Sequence, residues 1–219
     1  MTNEEMLSHV DHTLLKAFAK WEDIEKLCRE AVEYKCASVC IPPNYIARVH
    51  NAFPGLNICT VVGFPLGYSV TEAKVCETKK AITDGASEID MVVNITDVKN
   101  GDFEAVEKEI RTLKSVCGDK VLKVIIETCY LTEEEKIAMC RAVTNAGADY
   151  IKTSTGFGTG GATFEDIELF KKYIGPGVKI KAAGGVSTLD DLGKFIELGC
   201  DRVGTSRAVG LVKQKLTDR

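Results

Sequence analysis

A pattern of glycine, small and apolar positions recurs four times along the chain. Residues 35–40, 85–90, 147–152 and 199–204 each lead through a small residue into a short apolar run, and three of them begin with glycine. Glycine is common directly after the end of a helix. We therefore interpret these segments as helix-to-strand junctions of a β/α repeat. Four residues occupy the equivalent strand ends, namely Cys40, Asp90, Lys152 and Gly204.

Amphipathic segments with helix-start signals separate the apolar runs. Thr132 followed by Glu135 is a capping box, which predicts a helix over Glu133–Asn145. Similar signals predict helices that begin after Thr163 and after Ser187 or Thr188. The periodicity of apolar residues predicts others over 21–34, 44–52, 70–84 and Phe103–Cys117.

Further apolar, β-branched runs complete a set of eight strands, and they lie at Val10–Thr13, Ile58–Val62, 121–127 and 178–182. Strands that are apolar throughout are typical of parallel sheets buried on both faces. At about 27 residues for each unit, the pattern predicts an α/β fold, a compact (β/α)₈ TIM barrel. We expect a single domain over residues 1–219 with a short N-terminal helix. A doubly wound open sheet is the alternative, which is disfavoured because no G-x-G-x-x-G motif follows the first strand.

The composition of the chain excludes some kinds of partner and indicates its cellular environment. A net charge of −4 argues against nucleic acid or an anionic membrane as the main partner. No apolar run approaches the roughly 18 residues that a membrane-spanning helix needs. The nine cysteines are scattered and never spaced C-x-x-C, which is typical of reduced thiols rather than of disulfides or a zinc site. We therefore expect a cytoplasmic protein.

Lys152 is the strongest candidate for chemistry. It stands between the apolar pair Tyr150 and Ile151 and a loop with four glycines, where a backbone can approach a ligand closely. In a barrel the active site forms at the C-terminal ends of the strands, where we also place Asp11, Asp90 and Lys181. Two neighbouring ammonium groups depress the pKa of one of them. A lysine that is neutral near pH 7 can form a Schiff base with a carbonyl, whereas the simpler interpretation is that both lysines reach into solvent.

Asp90 lies among the apolar residues Ile89 and Met91, where an unpaired carboxylate is costly. A salt bridge to Lys152 or Lys181 would explain it, and so would proton transfer in the same cluster. Cys40 has no nearby general base in the sequence, so we interpret it as a pocket-lining or buried thiol. No cluster of His, Asp and Glu has metal-ligand spacing, and we expect neither a metal nor another cofactor.

Two glycine-containing turns predict a phosphate site. Gly184 and Gly185 follow the seventh strand, and Gly204-Thr205-Ser206 follows the eighth and precedes a short helix. TIM barrels often bind phosphate at this place through backbone N–H groups and a helix N-terminus.

Taken together, the ordered motifs resemble the deoxyribose-phosphate aldolases over essentially the whole chain. The resemblance rests on residues 11–13, 38–43, 62–67, 88–94, 151–157, 181–185 and 204–206. It implies a Schiff-base lysine at Lys152, a second lysine at Lys181 and an acid/base carboxylate at Asp90. It also implies that Asp11 holds a substrate hydroxyl. Phosphate contacts are implied at Gly156, Gly184, Gly185, Gly204 and Ser206. Phe157 stands where some relatives carry a lysine, so weaker phosphate binding is expected.

The resemblance further implies a metal-free aldol cleavage of 2-deoxy-D-ribose 5-phosphate to D-glyceraldehyde 3-phosphate and acetaldehyde. It also implies a homodimer as the assembly. Two other functions stay open from the residues themselves. One is a Schiff-base aldolase for another phosphorylated sugar or a 2-keto acid, and the other is a barrel that binds a phosphosugar without catalysis.

Overall fold

Eight parallel strands close into a barrel in the computed structural model, which describes residues 1–217. Each strand pairs with the next one along the chain, and β8 closes the barrel against β1, where Val203 lies beside Val10. The strands are β1 (Val10–Thr13), β2 (Ser38–Ile41), β3 (Ile58–Val62), β4 (Glu88–Val92), β5 (Val121–Ile125), β6 (Tyr150–Lys152), β7 (Lys179–Ala183) and β8 (Arg202–Thr205). The predicted TIM barrel is confirmed, and the open sheet is wrong.

The described residues form ten α-helices around the barrel. They are α1 (Asn3–Leu7), α2 (Trp21–Glu33), α3 (Ile46–Ala52), α4 (Thr71–Thr83), α5 (Ile95–Lys99), α6 (Phe103–Cys117), α7 (Glu133–Asn145), α8 (Phe164–Tyr173), α9 (Leu189–Glu197) and α10 (Ala208–Thr217). Short 3₁₀ turns cover Pro43–Tyr45 and Thr128–Tyr130. Within residues 1–217, no helix combines the length and the apolar character that a membrane crossing requires.

Local capping explains where the helices begin. The Thr132 hydroxyl accepts from the Glu135 N–H while the Glu135 carboxylate accepts from the Thr132 N–H, so the predicted capping box of α7 is confirmed. Thr188, not Ser187, is the N-cap of α9. The sequence pattern missed α5, because a five-residue helix is too short to show a 3.6-residue period.

The alignment of the four junctions holds, but the strand ends that it predicted are partly wrong. Cys40, Asp90, Lys152 and Gly204 are each the third residue of their strand. Only Lys152 is also the last residue, whereas β4 continues past Asp90 through Met91 and Val92, which pair with β3 and β5. Asp90 therefore lies inside the barrel, below the rim.

The hydrophobic core lies between the strands and the helices. Outward-facing strand residues such as Ile89, Val124 and Ile151 pack there against the buried faces of the helices. The barrel interior is different, because several of its inward-facing residues carry charge. Apolar burial thus stabilises the outer layer and leaves the interior for chemistry.

Candidate active site

The inward-pointing side chains of the strands fill the barrel interior in stacked levels. Alternate residues of a strand point inward, and odd and even strands contribute to different levels. The odd strands contribute Asp11, Cys59, Lys123 and Lys181, and the even strands contribute Cys40, Asp90, Lys152 and Gly204. All of these residues except Gly204 are buried. Two adjacent levels of the interior therefore hold most of the ionisable groups.

Asp90 is the centre of this cluster. Its Oδ2 atom accepts from Lys152 Nζ at 2.7 Å and from Lys181 Nζ at 2.6 Å. Its Oδ1 atom accepts from Lys123 Nζ at 3.0 Å and from Cys59 Sγ at 3.1 Å. Burial alone would raise the pKa of Asp90, but the three lysines outweigh burial and hold it well below its usual range. The salt bridges that would explain a buried Asp90 are thus both present.

Asp11 lies on the other side of Lys181. Its Oδ2 atom is 2.5 Å from Lys181 Nζ, and its Oδ1 atom accepts from Arg202 at 2.6 Å and from Ser38 Oγ at 2.8 Å. Burial favours neutral Lys181, yet the carboxylates of Asp11 and Asp90 outweigh burial and raise the Lys181 pKa above its ordinary value. The sequence predicted a depressed pKa for one of the two lysines, and Lys181 is not that one, because the carboxylates on both sides outweigh repulsion between lysines.

Three charged residues of the cluster were missed from the sequence. Lys123 Nζ lies 2.5 Å from Glu88 Oε2, and Arg202 donates to both Glu88 and Asp11. Lys123 sits in the middle of an otherwise apolar strand, which is the same signal that identified Asp90. Glu88 and Arg202 each begin a strand two residues before a predicted site residue, so they share its inward face.

The cluster carries an excess of positive charge. Its four cations are Lys123, Lys152, Lys181 and Arg202, and its three anions are Asp11, Glu88 and Asp90. Loss of one proton would balance these formal charges. Lys152 is the only one of the four cations that lines the pocket above the cluster.

This pocket has a volume of about 660 Å³ and brings together the predicted phosphate residues. Gly156, Gly184, Gly185, Gly204 and Ser206 all line it. Gly184 and Gly185 have φ angles of 78° and 77°, which favour glycine over other residues. Among the hydrogen bonds of residues 1–217, none uses the backbone N–H of Gly156, Gly185 or Ser206. Free N–H groups of this kind are what an anion needs.

Other residues are placed differently from the prediction or were not predicted. Asp11 and Asp90 do not line the pocket, because both carboxylates are fully buried among their charged partners. Lys16 and Arg207 do line it and were missed. Each lies two or three residues past a strand end, but surface lysines and arginines are too common for that position alone to identify them.

Cys40 is fully buried and does not line the pocket. Of the two interpretations from the sequence, the buried thiol is therefore right and the pocket-lining thiol is wrong. A hydrogen bond with Cys59 lowers the pKa of Cys40. Two groups of potential metal ligands lie close together, which the sequence did not indicate: Cys40, Cys59 and Asp90, and Asp11, Cys59 and Glu88. Lysine or arginine already pairs with each carboxylate in them, and these positive charges oppose a further cation.

The chain matches a known protein family along most of its length. A model described as DeoC/LacD family aldolase matches residues 6–212. The chain belongs to the DeoC/LacD family of aldolases. The resemblance drawn from the motifs is thereby confirmed.

Relatives of this aldolase match it along nearly their full length. A deoxyribose-phosphate aldolase of Clostridium botulinum (strain Alaska E43) is 70% identical over 218 residues, which cover 99% of both chains. One of Clostridioides difficile is 58% identical over 97% of both chains. Among solved structures, a deoxyribose phosphate aldolase of Aeropyrum pernix described as tetrameric matches with a TM-score of 0.92 at 30% identity, over 100% of this chain and 94% of that one.

Proposed function

We propose that this aldolase is a class I enzyme that cleaves 2-deoxy-D-ribose 5-phosphate to D-glyceraldehyde 3-phosphate and acetaldehyde. The observation that carries the proposal is the position of Lys152, which lines the same pocket as the glycine-rich turns and contacts Asp90 at 2.7 Å. The names of the relatives support the choice of substrate. A protein that only bound phosphosugars would not need three buried lysines around one carboxylate.

The first step is addition of neutral Lys152 to the C1 aldehyde of the open-chain sugar. Loss of water then gives a protonated imine, in which the nitrogen keeps a positive charge. The cluster favours this chemistry because its positive charges outnumber its negative ones, so Lys152 can lose a proton without leaving a carboxylate unpaired. Asp90 still accepts from Lys181 and Lys123 at that stage.

The second step breaks the C2–C3 bond. The proton of the C3 hydroxyl is removed, the electrons of the C2–C3 bond pass to the iminium, and glyceraldehyde 3-phosphate leaves. We assign the proton relay to Asp90 and Lys181, which share a hydrogen bond of 2.6 Å. Asp11 pairs with Lys181 at 2.5 Å but does not line the pocket, so we propose that it helps to orient a substrate hydroxyl through Lys181. The remaining enamine takes a proton at C2, and hydrolysis releases acetaldehyde and regenerates Lys152.

Borohydride trapping tests the proposal directly. Incubation of the enzyme with acetaldehyde and borohydride should add one ethyl group, which peptide mass mapping should locate at Lys152. Labelling at Lys181 would exchange the roles of the two lysines. A folded protein that gives no adduct would refute the Schiff-base mechanism. Product analysis completes the test, because a 2-keto-acid aldolase would release pyruvate instead of acetaldehyde.

The phosphate end of the pocket gives a further prediction. We propose that Gly156, Gly184, Gly185, Gly204 and Ser206 bind the phosphate, and Arg207 adds positive charge beside them. Arg207→Ala should raise KM for 2-deoxyribose 5-phosphate by about 10- to 100-fold, since a hydrogen bond to a charged group is worth roughly 1.5–3 kcal/mol.

Steady-state kinetics with phosphorylated and unphosphorylated 2-deoxyribose would check this prediction. The unphosphorylated sugar should react equally well with both proteins. Arg141→Ala, on the exposed face of α7, serves as the control for loss of a surface arginine. Equal losses on both sugars would show that Arg207 does not act through the phosphate.

The assembly and the location of the enzyme are two further proposals. We propose a homodimer, which the family resemblance supports, and a cytoplasmic enzyme, which the nine free cysteines support. Light scattering of the purified protein would test the assembly, and fractionation of cells would test the location.

A further inference from the structure

Glu127 has an unusual position at the C-terminal end of β5. It lies two residues past the strand, is only 1% exposed, and has the left-handed backbone angles φ 52° and ψ 67°. Lys35 is the only other non-glycine residue of the described chain with a positive φ. A residue with a side chain is disfavoured in that conformation, and such positions concentrate at functional sites.

The Glu127 carboxylate meets only hydrogen-bond donors. It accepts from the Thr155 N–H at 3.2 Å, from the Thr155 hydroxyl, and from Cys129 Sγ at 3.9 Å. Within residues 1–217, no lysine, arginine or histidine forms a salt bridge with it, unlike the carboxylates of the cluster around Asp90. An acceptor-only group therefore fits this place, whereas a side-chain amide would set its own N–H₂ against a donor.

These bonds continue into the wall of the pocket. The Thr155 hydroxyl donates to Glu127 and accepts from the Phe157 N–H at 3.0 Å. Thr155, Gly156 and Phe157 all line the pocket, and the Gly156 N–H between them has no partner in the described chain. The loop is also held close to Glu127, because a Cβ atom added at Gly158 would lie 3.1 Å from Glu127 Cδ.

We infer that Glu127 is a positioning residue that fixes the 155–157 wall so that the Gly156 N–H faces the phosphate of the substrate. The inference rests on the proposed function and adds a residue that does not itself touch the substrate. Glu127 orients the Thr155 hydroxyl, Thr155 engages the Phe157 N–H, and Gly156 is left to bind the anion. Lys152 is anchored separately through Asp90 and through the strand pairing of β6, so imine formation does not depend on Glu127.

Glu127→Gln tests the inference because it keeps the shape of the side chain. We expect KM for 2-deoxyribose 5-phosphate to rise about tenfold and the inhibition constant of inorganic phosphate to rise by a similar factor, with kcat within about twofold. Cleavage of unphosphorylated 2-deoxyribose and borohydride trapping with acetaldehyde should not change, because neither involves the phosphate end.

Thr155 provides the matched variants. Thr155→Val should raise KM by about the same factor as Glu127→Gln. Thr155→Ser keeps the hydroxyl and should therefore keep the wild-type KM. The double variant Thr155→Val with Glu127→Gln should have nearly the same KM as either single variant, because both changes break the same contact. These variants also carry the test if Glu127→Gln does not fold.

Two results would overturn this inference without affecting the proposed function. One is an unchanged KM in both Glu127→Gln and Thr155→Val, and the other is an equal loss on phosphorylated and unphosphorylated sugar, which would indicate a general structural role. A wild-type protein that forms no adduct at Lys152 would instead refute the proposed function, and the inference would fall with it.

Discussion

Replacement of Lys152 by methionine should reduce kcat/KM for 2-deoxyribose 5-phosphate by a factor on the order of 10⁴ or more, because the proposed imine forms on the side-chain nitrogen that methionine lacks. The fold should survive. Removal of this one cation leaves three cations and three anions in the cluster, and Asp90 Oδ2 still accepts from Lys181 at 2.6 Å. The measurement is the rate of acetaldehyde release, together with thermal unfolding of both proteins.

A lysine elsewhere on the barrel provides the control. Lys179 lies at the opposite end of β7 from the pocket, and its side chain is 57% exposed. Lys179→Met should retain full activity and unfold at nearly the same temperature as Lys152→Met. Substantial residual aldolase activity in Lys152→Met, or an adduct that still forms in it with acetaldehyde and borohydride, would contradict the assignment of Lys152 as the nucleophile.

The sequence predicted the barrel well because the outer layer follows simple periodic rules. Apolar strands, capping residues and glycines that follow helices each leave a local pattern, as at Thr132 and Gly147. The length of a strand is set by its neighbours instead. The pairing of Met91 with Val62 and Val124 extends β4, and no local signal at Asp90 shows how far that pairing goes.

The site could be predicted only in part, because charged partners come from strands distant in sequence. Lys152, Lys181 and Asp90 were found by their isolation among apolar residues and by the family motifs. Lys123 carries the same local signal, yet it was overlooked in a strand interpreted as wholly apolar. The direction in which the Lys181 pKa is shifted could be found only from the three-dimensional structure. It depends on Asp11 and Asp90, which lie 170 and 91 positions away in sequence.

Asp90→Asn should damage stability and catalysis together. It leaves four cations facing two carboxylates in a buried site, and breaking a buried ion pair by removing one partner costs about 3–5 kcal/mol. Loss of a group that transfers protons should lower kcat by a further factor of about 10²–10⁴. Urea unfolding gives the first quantity, and initial rates at saturating substrate give the second.

A second buried ion pair separates these two effects. Lys74 and Glu109 join α4 and α6 at 2.8 Å outside the barrel interior, and Lys74 is fully buried. Glu109→Gln should therefore lower the free energy of unfolding while kcat stays at the wild-type value. If Asp90→Asn lost stability but kept its kcat, as Glu109→Gln should, the proton-transfer role of Asp90 would be wrong.

The stability difference between wild type and Asp90→Asn should also depend on pH. The pKa of Asp90 is held well below its usual range in the folded protein, while in the unfolded chain it returns to about 3.9. The unfolded state then binds the proton more readily, so the contribution of Asp90 is complete above that value and declines as the pH falls below it. The asparagine side chain of the variant cannot titrate. The difference in free energy of unfolding should accordingly be constant from about pH 7 to 5 and become smaller towards pH 3. A difference that stayed the same at every pH would mean that the charge of Asp90 contributes nothing to the stability of the wild type.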